Sequence, residues 1–160
     1  MLSFTILSVG RLKDQFYQDA AAEYLKRLTP YAKTAVIEIR AAELPPEPNA
    51  AQIAAALERE EREILKRLPA GSLAVALCVE GKPLSSEGFS AWIDRAAGAG
   101  NSHIVFVIGG SYGLSEAVKS RAALRLSMSD MTFPHRLARV MLLEQLYRAC
   151  KISAGETYHK

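Results

Sequence analysis

Five short apolar runs rich in β-branched residues, separated by stretches of helical periodicity, constrain this chain more than any other feature. The strand candidates are Leu2–Val9, Thr34–Arg40, Leu73–Val79, His103–Gly109 and Leu124–Met128, and helical patterns fall near 14–29, 50–68, 86–98, 115–122 and 134–150. Strand–helix alternation at this spacing predicts an α/β fold, a mainly parallel sheet with helices on both faces. The third and fourth runs are apolar throughout, as strands covered on both faces are. Val36-Ile37-Glu38-Ile39-Arg40 alternates instead, as an edge or half-exposed strand does. With 160 residues, no repeat and no long linker, residues 1–160 read as one domain.

Composition removes several classes. The chain is 49% hydrophobic and 23% charged, enough to bury a core. Its longest apolar stretches are roughly half of a membrane span, so no membrane partner is expected. The N-terminal apolar run has neither a basic region before it nor a small-residue cleavage site after it, unlike a secretory signal. Cys78 and Cys150 sit apart in apolar segments, with no CxxC, so a reduced, cytoplasmic protein is expected.

The net charge of +3 hides an asymmetry: residues 81–160 hold ten Lys/Arg against six Asp/Glu, and from Lys119 onward the count is eight against three. Such a bias can attract phosphate backbones. The charged face of helix 50–68, with i,i+4 pairs such as Glu58/Arg62 and Glu63/Arg67, reads as solvated surface. Helix 134–150 has apolar residues around most of its circumference, including Leu137, Val140, Met141, Leu142, Leu143, Leu146, Tyr147 and Cys150. One sheet face needs only one apolar stripe, so a second partner is expected, either a copy of the chain or further elements of the monomer.

Three segments stand out chemically. Val107-Ile108-Gly109-Gly110-Ser111-Tyr112-Gly113-Leu114-Ser115-Glu116 runs from strand through glycines into a helix capped by Ser115. Such a loop lets a ligand approach the backbone at the carboxyl end of a sheet. Its GGxxG spacing is neither a dinucleotide fingerprint nor a Walker A loop, though Asp130 beyond it keeps a nucleotide-binding module as an alternative. Residues 126–136 mix Ser and Asp with Met and Phe, a composition suited to walling a purine or to capping a helix. The terminal Gly155-Glu156-Thr157-Tyr158-His159-Lys160 is by default a frayed end, yet its side chains suit RNA. The three histidines lack metal-ligand spacing, and no serine elbow or Cys–His motif occurs; hydrolase and metalloenzyme readings, and any metal, are therefore set aside.

Taken in order, VIGGSYGLS, LSMSDMTFPHRLARVMLLEQLYRA and the terminal GETYHK closely resemble the bacterial ribosomal RNA large subunit methyltransferase H family, pseudouridine N3-methyltransferases of the SPOUT class. Val9-Gly10-Arg11-Leu12-Lys13 and Glu23-Tyr24-Leu25-Lys26-Arg27-Leu28 look like that family's opening, so the resemblance spans the whole chain. It implies a C-terminal trefoil knot, against base rates, and a homodimer with cofactor sites at its interface. S-adenosylmethionine would be held by Leu77, Gly109, Met128, Ser129, Asp130, Met131, Thr132 and Phe133. The implied reaction is methyl transfer to N3 of pseudouridine 1915 in helix 69 of 23S rRNA, on the assembled 70S ribosome and with weak affinity for naked RNA. His159 and Tyr158 are the catalytic candidates, folded over the site of one or the other subunit. His135 and Asp130 stand behind them, since a cap and a loop stabiliser explain those two. Arg136, Arg139 and Arg148 are candidate phosphate contacts. A ribosome-associated factor without catalysis is the remaining alternative.

Overall fold

Side chains alternating between the two faces of the central strands set the architecture. The computed structural model describes residues 1–160. Strands β1 (Ser3–Val9), β2 (Lys33–Ile39), β3 (Leu73–Pro83), β4 (His103–Ile108) and β5 (Leu124–Ser127) alternate with helices α1 (Gln15–Leu28), α2 (Ala50–Arg67), α3 (Ser86–Gly98), α4 (Glu116–Arg121) and α5 (His135–Ser153). All pairings are parallel, in the order β2-β1-β4-β3-β5. The alternating run therefore forms an edge strand, and the continuously apolar runs lie inside the sheet.

Phe4 and Ile6 of β1 and Ile104, Phe106 and Ile108 of β4 join α1, α3 and α5 in one core. Leu7, Val9, Val105 and Val107 point the other way, toward Ile64 of α2 and Val118 of α4. Phe106 anchors the larger core, meeting Phe4 and Phe89 edge-to-face with both centroid separations at 5.9 Å. Helix α2 starts at Asn49 with a reciprocal capping box to Gln52.

Two elements extend several residues beyond expectation, and the others agree to within a residue or two. α5 begins after Pro134, which caps it, and runs on to Ser153. β3 continues to Pro83, past Val79, through a register shift between Leu77 and Lys82. The all-round apolar character of α5 has an answer within one protomer: both α1 and α3 pack on it, and Leu142, Leu143, Leu146, Ala149 and Cys150 are buried. Leu137, Val140, Met141 and Tyr147 keep partial exposure.

Candidate active site

The loops that leave the carboxyl ends of β3, β4 and β5 converge on one cavity of about 770 Å³, and ten of its twenty lining residues are hydrophobic. In a parallel sheet this edge is where ligands bind, because the strand ends direct their loops to one side.

Each wall has a local cause. In β3, Leu77 and Lys82 both face Leu126 of β5, so residues 78–81 leave the ladder and bulge into the cavity wall. Gly81 allows the return, since a Cβ there would lie 2.7 Å from the Arg125 backbone. After β4, Gly113 adopts φ +78° and its N–H bonds the Gly110 carbonyl at 3.1 Å. A Cβ on Gly109 would meet the Gly113 carbonyl oxygen at 2.4 Å, so glycine at 109 lets the loop close on itself. Ser115 caps α4 as expected, accepting from the Val118 N–H, and donates to Glu61 of α2 at 2.6 Å. In the third wall, Ser127 Oγ donates to the Ser129 carbonyl, and Ser129 Oγ accepts from the Met131 N–H. Met131 is left 74% exposed at the rim.

Leu77, Gly109, Met128, Ser129, Met131, Thr132 and Phe133 all line this cavity, and Asp130 does not. Tyr112 of the glycine loop lines it as well; sequence reasoning missed Cys78, Val79 and Glu80, which enter only through the bulge, and Lys119 and Ala138. Lys119 donates to Glu80, and this bond holds the Glu80 carboxyl below the usual range. Burial pushes the Cys78 thiol upward, so it is no ready nucleophile. His135 also lines the cavity; burial, then the charges of Arg136 and Arg139, push its pKa down and favour the neutral imidazole. The walls can therefore enclose and orient an amphipathic ligand, but they present no paired nucleophile and base. Among His, Cys, Asp and Glu, no group of three is placed to hold a metal ion.

The tail is not frayed. Tyr158 donates to Glu144 at 3.1 Å and packs edge-on against Tyr147, and Arg148 lies over its ring. His159 sits between Arg148, at 3.1 Å, and Glu87, at 2.6 Å. Neither His159 nor Tyr158 lines the cavity of its own protomer. His103 bonds Thr5 at the opposite end of the sheet, a structural role.

One phosphate expectation is corrected. Arg139 is 3% exposed, with its guanidinium on Glu38 at 2.8 Å and on Ser8 Oγ and the Gly10 carbonyl, each at 3.0 Å. It pins α5 to β1 and β2 and has no surface to offer phosphate. Arg148 is held by Glu144 at 2.5 Å; Arg136, with Asp14 at 3.9 Å, is the least engaged of the three. The C-terminal basic bias is thus largely internal, because Lys119, Arg125 and Lys151 are also ion-paired. On α2 the expected Glu63/Arg67 pair is present at 3.6 Å, whereas Arg62 forms no ion pair with Glu58.

A family model described as "Predicted SPOUT methyltransferase" matches residues 2–159. The chain belongs to the SPOUT methyltransferase family. Among SPOUT relatives, it is 51% identical over 159 residues to the Ribosomal RNA large subunit methyltransferase H of Pelotomaculum thermopropionicum, covering 99% of each chain. The protein of the same name from Clostridium acetobutylicum is 47% identical, covering 99% of this chain and 100% of that one. Solved structures agree on the fold. A probable methyltransferase from Bordetella pertussis Tohama I superposes with TM-score 0.55 at 18% identity, over 92% of this chain and 95% of that one. A probable methylase family protein from Haemophilus influenzae Rd KW20 gives 0.52 at 11% identity, over 99% and 70%.

Proposed function

We propose that this chain transfers a methyl group from S-adenosylmethionine to N3 of pseudouridine 1915 in helix 69 of 23S rRNA. It acts on the assembled 70S ribosome in the cytoplasm, as a homodimer with a C-terminal trefoil knot. The observation that supports this reading is the cavity after β3, β4 and β5, in a SPOUT chain whose full-length relatives are named for large-subunit rRNA methylation.

The cavity fits the donor. Its volume lies in the range of sites for ligands of this size, and its mixed lining suits an adenosine with a short charged tail. Leu77 and the self-closed loop at Gly109 form two walls; Met128, Ser129, Met131, Thr132 and Phe133 form the third, with Ser127 and Ser129 bracing that turn. When bound, the sulfonium supplies an activated methyl carbon, so the demanding chemistry is the cofactor's. The protein's part is alignment, holding acceptor nitrogen, methyl carbon and sulfur in line. The imide N3–H must give up its proton as nitrogen bonds the methyl carbon and the carbon–sulfur bond breaks. His159 and Tyr158 serve that step from the partner protomer's tail, consistent with their position outside their own cavity. Arg136 and Arg148 engage phosphate nearby.

The test uses ribosomes from a strain lacking this methyl group, with methyl-labelled S-adenosylmethionine and mass spectrometry of the digested RNA. Label in N3-methylpseudouridine on 70S particles, in preference to 50S subunits or naked 23S rRNA, is the expected result. Label in another nucleoside would replace the substrate assignment; no label despite donor binding would overturn the reaction.

A further inference from the structure

The donor cavity opens into a groove of about 1040 Å³, and Gly110, Ser111, Tyr112 and His135 line both. The groove crosses the carboxyl ends of β1 and β2 and continues through Arg40, Ala42 and Glu60 into a third depression against α2. These shared residues make one continuous path from the donor cavity to the outer face of α2.

Its electrostatics are one-sided once existing pairs are removed. Among the acids lining the path, Glu38 is held by Arg139, Glu43 faces Arg40 and Glu63 faces Arg67. Glu60 accepts from the Ala42 N–H, and burial raises its pKa. Arg11, Lys13, Arg59 and Arg62 also line the path, and none of them forms an ion pair. Arg136 also lines the path; its one ion pair is the long contact to Asp14 at 3.9 Å, and its buried Nε has no hydrogen-bond partner. At the mouth, where groove meets donor cavity, Tyr112 is 47% exposed, an aromatic ring free to stack.

We infer that this groove seats the RNA strand that carries the target base, with Arg136, Arg11 and Lys13 on phosphates next to the base and Arg59 and Arg62 on phosphates farther along. Unpaired cations in a row beside an exposed aromatic ring suit an unstacked segment of RNA: cations track the backbone and a ring takes a base face. The path ends where a methyl carbon would be presented, so a strand lying in it delivers its base to the donor. This assignment rests on the rRNA-methylation reading and adds to it the surface that binds the substrate. It also extends the RNA contacts beyond Arg136 at the start of α5, to loops and a helix of the N-terminal half.

The test compares wild type with Arg11→Gln/Lys13→Gln and Arg59→Gln/Arg62→Gln, using Lys33→Gln/Arg95→Gln, away from the path, as control. Affinity for 70S ribosomes is titrated across salt, alongside donor binding and methyl transfer. Each groove pair should lose about tenfold or more in ribosome affinity and flatten the log–log salt slope by about 1.4, at roughly 0.7 per single-strand phosphate contact. Donor affinity should stay at the wild-type value. Unchanged affinity and slope in both groove pairs, with wild type still methylating ribosomes, overturns the groove alone. An equal loss in the control pair overturns it too, since the effect would then be net charge. A wild type that methylates no ribosomal RNA instead removes the reading on which the groove rests.

Discussion

Arg139 and Gly109 show how single residues fix the shape of the site. Arg139 joins β1, β2 and α5 through Glu38, Ser8 and Gly10. Arg139→Ala leaves those acceptors without their donor and should cost about 3 kcal/mol of stability, read by urea denaturation. Gly109→Ala places a methyl against the Gly113 carbonyl, so the loop must open. Donor affinity should fall at least about tenfold by calorimetry, or about 1.4 kcal/mol. Gly98→Ala, with open space at its Cβ, should leave binding unchanged and add up to about 0.5 kcal/mol of stability. His135 supplies the pH dependence. Its folded pKa lies below the ordinary 6.5, so below that pH the unfolded chain takes up a proton more readily than the folded one. Its contribution is therefore complete above the unfolded pKa and declines as pH falls. A His135→Asn variant should show a shallower loss of stability between pH 7 and pH 5.

Among elements, the tail makes the sharpest claim. It is docked through Tyr158, His159 and Glu156, which accepts from Tyr31 at 2.7 Å, yet it contributes nothing to its own cavity. Deleting residues 155–160 should abolish methyl transfer while donor binding persists; retained transfer would remove the tail from the mechanism. The strands and helices were legible in the sequence because apolar period and capping are local signals, as at Asn49 and Ser115. The glycine loop and residues 128–133 were legible as unusual compositions at strand ends. The β3 bulge was not, because residues 78–81 leave the ladder through their register against β5, a tertiary relation. The burial of Arg139 was equally hidden: its partners Ser8, Gly10 and Glu38 lie more than a hundred positions away in the chain, and charge counts treat every arginine as surface.

On the scale of the whole molecule, the donor should act as a structural ligand, since its cavity spans loops from three strands. At a free concentration of about 100 times Kd it should add about 2.7 kcal/mol. For a chain of this length that is a rise of roughly 5–10 °C in Tm by scanning calorimetry. No rise with S-adenosylmethionine would argue against the cavity as its site. The doubled use of Leu126 by Leu77 and Lys82 gives this cavity a further property. Both ends of the bulge are registered on the same β5 position, so positions 78–80 can be exchanged, or residues added there, without displacing either flanking ladder, as long as Gly81 keeps its close approach to Arg125. Lineages of this fold can therefore lengthen or reshape that wall through small insertions while the strands around it keep their pairing, and ligand selectivity and fold stability become separately heritable.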